Sequence, residues 1–217
     1  MTSPETGGNR EQLWQKLRRQ LVDEHLMKRG ISDARVLQAF LDVPRHLFVP
    51  EERIDESYDD KPLPIGWDQT ISQPFIVAYM VGLLSLKQSE RVLEIGTGSG
   101  YETAILAKII SEVYSIEIVP ELSERADKIM ENMGLANVRL RVGNGYEGWP
   151  EAAPFDAIIV SAAPKKIPHD LIHQLRIGGR MIIPVGGMMQ RLFLITRGEK
   201  KLNISRKIPV RFVPMVR

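Results

Sequence analysis

The 217-residue chain contains no cysteine, which excludes disulfides, cysteine-based zinc sites and a thiol nucleophile. Long apolar runs are missing too. The longest, "FIVAYMVGLL" at residues 75–84, is about half of the ~20 residues a membrane span needs, so no membrane partner is expected. The opening "MTSPETGGNREQLW" lacks the apolar stretch of a secretory signal, and a cytoplasmic location is the expectation. Aromatic residues make up 6% of the chain. No dense basic block interleaves with them, so nucleic acid is not an expected partner.

What is present is ordinary for a globular protein: 43% hydrophobic and 26% charged residues, with a net charge of +2. The charge is uneven. Residues 191–217 hold eight Lys or Arg against one acid, Glu199, so the middle of the chain is net acidic. A basic terminal stretch attracts anions. It also blocks edge-to-edge pairing when it lies on an outer strand.

Residues 1–9 are small and polar and read as unstructured. Leu13, Leu17, Leu21 and Leu26 then recur near helical spacing over residues 10–29 and read as core, with Gly30 as the stop. "SDARVLQAFLDVP" reads as a second helix capped by Ser32 and ended by Pro44. Residues 43–73 lack a period and read as a long loop, a feature that in compact domains is usually functional or disordered. A third helix follows, with Ser72 near its start and Pro74 in its first turn.

From residue 90 short apolar strands alternate with helix-length segments: "RVLEIG", "VYSIEI", "VRLRVG", "DAIIVSA" and "RMIIPVG". Uniformly apolar strands suit a mostly parallel sheet covered on both faces. The order predicts a doubly wound α/β fold. "RLFLITRG" and "IPVRFVPMV" read as two closing strands that form an antiparallel pair.

In such a sheet ligands bind beyond the carboxyl ends of the strands, at the switch point. "EIGTGSGY" supplies Gly96, Gly98 and Gly100 there. Glycines tolerate φ > 0 and bring a ligand close to the backbone. The pattern is one residue shorter than the G-x-G-x-x-G of dinucleotide sites, so the glycines alone leave the ligand open. Glu94, two residues before Gly96, repels a pyrophosphate and suits a cation such as S-adenosyl-L-methionine. Glu117 lies 21 residues after Gly96, where a carboxylate takes ribose hydroxyls. "VGNGYEGWP" adds a second polar turn, in which Asn144 reads as a partner for an adenine edge and Tyr146 or Trp149 as its wall; a plain Asn-Gly turn is the rival reading.

"VPRHLFVP", "PLPIGWDQTISQP", "VLEIGTGSGYETAILA", "FDAIIVSAAP", "GGRMIIPVG" and "VRFVPM" follow one another in the order seen in one family. Over roughly residues 12–216 the chain resembles the protein-L-isoaspartate O-methyltransferases. The glycine turn is shared with many methyltransferases, whereas "QTISQP" is far more specific. The resemblance implies a Rossmann-like, S-adenosylmethionine-dependent methyltransferase acting on the free carboxyl of L-isoaspartyl residues in damaged proteins and peptides, and so initiating their repair. It implies one domain over residues 10–217, with helices and a substrate loop in 10–89 and the α/β core in 90–217. Ser72 is the implied active-site serine, with Gln69, Thr70 and Ile71 beside it on the substrate side. On the donor side it implies Glu94, Gly96, Thr97, Gly98, Gly100, Glu117, Asn144 and Gly145. Two positions depart from the family pattern: Asp68 stands where glycine is common, and Asn144 where aspartate is common. Asp68 lends weight to a relative that binds damaged protein without turnover, and a nicotinamide-dependent oxidoreductase is the other enzyme class considered.

The chemistry fits the residues. A carboxylate is ionised at neutral pH and needs no general base to attack a sulfonium methyl. No nucleophilic triad is evident in the motifs. "HDLIH" at His169–His173 approaches a zinc pattern, but no third ligand is evident, so no metal site is expected.

Overall fold

The structure is a computed structural model and describes residues 4–217. Helix α1 (Pro4–Gln20) runs into a π-helical turn (Leu21–Leu26) and a 3-10 turn (Met27–Arg29), and stops at Gly30 with φ +90°. The unstructured start expected for residues 1–9 is therefore corrected for residues 4–9, which extend the helix; residues 1–3 lie outside the described residues. Extending a nucleated helix costs far less than starting one. Of the four leucines expected in the core, Leu21 and Leu26 are buried, while Leu13 is exposed.

Helix α2 (Ala34–Asp42) is capped by Asp33, not Ser32: its carboxylate accepts the N–H groups of Arg35 at 2.9 Å and Val36 at 3.4 Å. Residues 43–73 are more ordered than a loop. Two 3-10 turns (Arg45–Phe48 and Glu51–Glu56) lead to a hairpin of β1 (Leu63–Gly66) and β2 (Gln69–Ile71). Leu63, Ile65 and Ile71 are buried in the main core, which gives the hairpin its inner face. Helix α3 (Pro74–Leu84) has Pro74 in its first turn. Ser72 does not cap it. Asp60 does that from the preceding loop, accepting the Phe75 N–H at 2.9 Å and the Gln73 amide at 2.8 Å.

The core then alternates β3 (Arg91–Ile95), α4 (Tyr101–Ile109), β4 (Glu112–Glu117), α5 (Pro120–Asn132), β5 (Val138–Val142), β6 (Phe155–Val160), α6 (His169–Gln174), β7 (Leu175–Gly186), β8 (Gln190–Arg197) and β9 (Leu202–Val210). The seven-stranded sheet has the order β5-β4-β3-β6-β7-β8-β9, parallel as far as β7 and antiparallel beyond it. The chain thus winds one way from β3 to β5 and the other way from β6, which puts the switch point between β3 and β6. The last strand lies outside its neighbour, so β7, β8 and β9 form a meander. β9 is the basic outer strand, and residues 211–217 leave the sheet instead of continuing it. Among the described residues no helix is long and apolar enough to cross a membrane.

Candidate active site

Beyond the carboxyl ends of β3, β4 and β6 lies a crevice of about 790 Å³, its open mouth included. The turn Gly96–Ser99 forms one wall. Ile116–Ile118 and Gly145 form another, and Ser161–Ala162 a third. "QTIS", Gln69–Ser72, and the tail Val213–Val216 close the rim. Hydrogen bonds between strand ends hold this frame: Gly96 N donates to Ile116 O at 2.8 Å, and Ser161 N to Ile95 O at 2.8 Å.

Gly96 and Gly98 adopt φ of +95° and +52°. A Cβ on either would meet only ordinary contacts, at 3.7 Å and 3.8 Å, so the backbone conformation, not crowding, requires glycine there. Glu117 is pre-positioned by three backbone donors. Gly98 N reaches Oε2 at 2.7 Å, and Ile118 N and Val119 N reach Oε1 at 2.9 Å and 3.0 Å. A carboxylate has roughly four acceptor sites, so one remains for a ligand hydroxyl. At Gly145 a Cβ would stand 2.4 Å from Ile95 Cγ2 and 3.1 Å from Met215 Cε, inside the space the crevice walls occupy.

On the rim, Arg45 ties the segment before α3 down. Its guanidinium is fully buried and donates to the carbonyls of Ser57, Lys61 at 3.2 Å and Ser72 at 3.0 Å. Gln69, Thr70, Ile71 and Ser72 all line the crevice. Asp68 does not. It sits exposed at the hairpin tip with Trp67, both at positive φ of 56° and 50°.

Several expected residues fall elsewhere. Glu94 is fully buried on β3, behind the crevice wall, where its Oε2 accepts the Thr103 hydroxyl at 2.5 Å. Gly100 does not line the crevice either. It sits before α4 at φ +85°, and a Cβ there would meet Met130 Cε at 2.8 Å and Ala126 Cβ at 3.1 Å, so it serves the packing of α4 on α5. Asn144 uses its side chain internally: Oδ1 accepts Tyr146 N at 3.0 Å, and Nδ2 donates to Glu147 at 2.8 Å. Trp149 packs edge-on against Tyr114, away from the crevice. His169 and His173 share α6 with ring centroids 6.0 Å apart, and no group of three metal-binding side chains occurs among the described residues.

Other lining residues were not anticipated. Glu102, in the first turn of α4, lines the crevice and accepts the Ser161 hydroxyl at 2.6 Å. Burial, opposed by that hydrogen bond, pushes its carboxyl up to about 7. Burial and then the charge of Glu102 hold Glu94 well above the ordinary carboxylate range. The tail reaches the rim because Ala163 N donates to Val213 O at 2.8 Å and Met215 N to Ala163 O at 3.0 Å. "VRFVPM" carried this signal, but as a strand-like run it gave no hint of a rim. No Lys, Arg or His lines the crevice among the described residues.

A doubly wound sheet with a glycine turn and a strand-end carboxylate at its switch point, and with an acidic crevice, defines a Rossmann-like methyltransferase. The comparisons narrow the class. Residues 16–217 match the family described as protein-L-isoaspartate(D-aspartate) O-methyltransferase (PCMT). The chain is 52% identical over 199 residues to the protein-L-isoaspartate O-methyltransferase of Gloeobacter violaceus, covering 91% of this chain and 97% of that one. It is 52% identical over 202 residues to that of Opitutus terrae, covering 92% and 87%. A solved structure from Plasmodium falciparum, described as a protein-L-isoaspartate O-methyltransferase in complex with S-adenosyl-L-homocysteine, superposes with a TM-score of 0.81 at 28% identity, covering 94% and 98%. The chain belongs to the protein-L-isoaspartate O-methyltransferase family.

Proposed function

We propose that this enzyme transfers a methyl group from S-adenosyl-L-methionine to the free carboxyl of L-isoaspartyl residues in damaged proteins and peptides, and so initiates their repair. The observation that carries the donor is the charge of the crevice: Glu117 and Glu102 line it, Glu94 lies behind, and no cationic side chain faces them among the described residues. Such a site repels a pyrophosphate and attracts a sulfonium and an ammonium, which disfavours a nicotinamide dinucleotide. When bound, the donor supplies an electrophilic methyl group.

The protein's own residues do the rest. Glu117, held by three N–H groups, takes a ribose hydroxyl with its remaining acceptor site. Gly96, Thr97 and Gly98 let the backbone approach, and Gly145 lets Ile95 and Met215 pack against the opposite wall where a side chain would collide with them. Ser72 donates a hydrogen bond to the substrate carboxylate, while Gln69, Thr70 and Ile71 shape its pocket. These rim groups are neutral, so an anionic acceptor is not repelled on its side. Arg45 keeps Ser72 in place through its carbonyl. Alignment is the main catalytic effect, since the acceptor is already ionised; such effects reach roughly 7–11 kcal/mol at best. The following backbone amide nitrogen attacks the ester carbonyl and expels methanol, a far better leaving group than the oxygen of a free carboxylate. The succinimide so formed takes up water and opens in part to normal aspartate.

The test is a matched pair of peptides that differ only in one isoaspartyl or aspartyl linkage, offered with methyl-labelled donor. Label is expected in the isoaspartyl peptide alone. Equal label in both, or none in either, would overturn the reading.

A further inference from the structure

We propose that Glu102 and Glu94 hold one proton between them in the absence of the donor, and that the donor's positive charge displaces it to solvent, which makes Glu102 a binding residue of the donor site. The inference rests on the cationic donor proposed above.

The geometry is that of two carboxyl groups with no counter-charge. Glu102 is buried, faces the crevice and is bonded to Ser161. Glu94 neighbours it on the central strand: it holds the hydroxyl of Thr103, the residue after Glu102, and the Ser161 that Glu102 holds donates its N–H to the carbonyl of Ile95, the residue after Glu94. Its Oε2 is satisfied by Thr103, but its Oε1 is buried without any partner. An ionised carboxylate in that position is costly, and two carboxylates in one region of low dielectric do not both ionise. The proton therefore belongs to the pair and not to either residue. The groups facing the pair supply no cation. β4 brings Glu117 and Ser115, α4 brings Tyr101 and Thr103, the glycine turn brings Thr97, β6 leads to Ser161, β2 offers neutral side chains, and the tail is apolar. The balancing charge must come from a ligand.

The experiment is calorimetric titration of the whole protein with S-adenosylmethionine near pH 7, in buffers of different ionisation enthalpy, which counts protons released on binding. S-adenosylhomocysteine, without the sulfonium charge, is titrated in parallel. The wild type is expected to release close to one proton per donor, the one that the pair holds. Below pH 7 its affinity should fall toward tenfold per pH unit, the limit for one displaced proton. Glu102→Gln should release far less, with a flatter affinity profile. Ser161→Ala removes a bond that favours the charged form, so it should move the release to higher pH; this second variant keeps the test intact if Glu102→Gln does not fold. Donor binding without proton release, or equal release by wild type and Glu102→Gln, overturns this proposal alone. No binding of the donor at all overturns the donor assignment, and this proposal with it.

Discussion

Ser72 shows how a single residue acquires its role from its surroundings. A serine two residues before a helix is usually read as that helix's cap, but Asp60 already accepts the Phe75 N–H. Ser72 is left on the crevice rim, with its carbonyl tied to Arg45. Its hydroxyl is thus available to a substrate carboxylate. Ser72→Ala should lower kcat/KM by about 10- to 150-fold, the worth of a hydrogen bond to a charged group at roughly 1.5–3 kcal/mol. Donor affinity should stay near the wild-type value, because the function proposed above has Glu117 and the glycine turn hold the donor without Ser72. Single-turnover kinetics and donor titration check the two halves separately, and a loss confined to donor affinity would move Ser72 out of its assigned role. Glu94 illustrates the opposite case. Its place two residues before Gly96 was legible, but burial behind the wall follows from strand direction and from the helices packed on the sheet.

At the scale of elements, the β1–β2 hairpin is the part least visible beforehand. Its strands have four and three residues, and Pro64 interrupts the first. Its turn carries Trp67 and Asp68, not the Asn-Gly pair that announces a two-residue turn with both central residues at positive φ. The burial of Leu63, Ile65 and Ile71 forces the fold-back despite the cost of left-handed side chains. Asp68→Gly is therefore expected to raise stability by up to about 1 kcal/mol, since only the side chain's left-handed strain is removed. Equilibrium unfolding measures it, and a fall in stability would contradict the turn geometry. Arg45 is a second element-scale device. It joins the 3-10 turn, the hairpin's approach and Ser72 through carbonyls that lie 12, 16 and 27 residues away in sequence.

For the whole molecule, the N-terminal helix is docked through His46, which stacks on Trp14 at 3.7 Å and meets the Tyr58 hydroxyl at 2.8 Å. Burial, and then the positive charge of Arg18, hold His46 down at about 4. The unfolded chain takes up this proton from about pH 6.5 downward, the folded chain only near 4. Stability should therefore fall as pH drops between those values. His46→Phe should be less stable at pH 7, through the lost Tyr58 contact, but should show a shallower decline over that window. Thermal melting at stepped pH separates the slopes, and parallel slopes would remove His46 as the cause. The alternation of apolar strands and helices, the glycines at a strand end and the carboxylate 21 residues on were determined by sequence alone, because they depend on local spacing and backbone freedom. So was the family pattern around "QTIS". Tertiary structure decided that Glu102, Ser161 and the tail complete the crevice, that Asn144, Trp149 and Gly100 stay out of it, and that Asp60 caps α3. Those outcomes depend on which side chains distant in sequence reach one space and are shielded there from water.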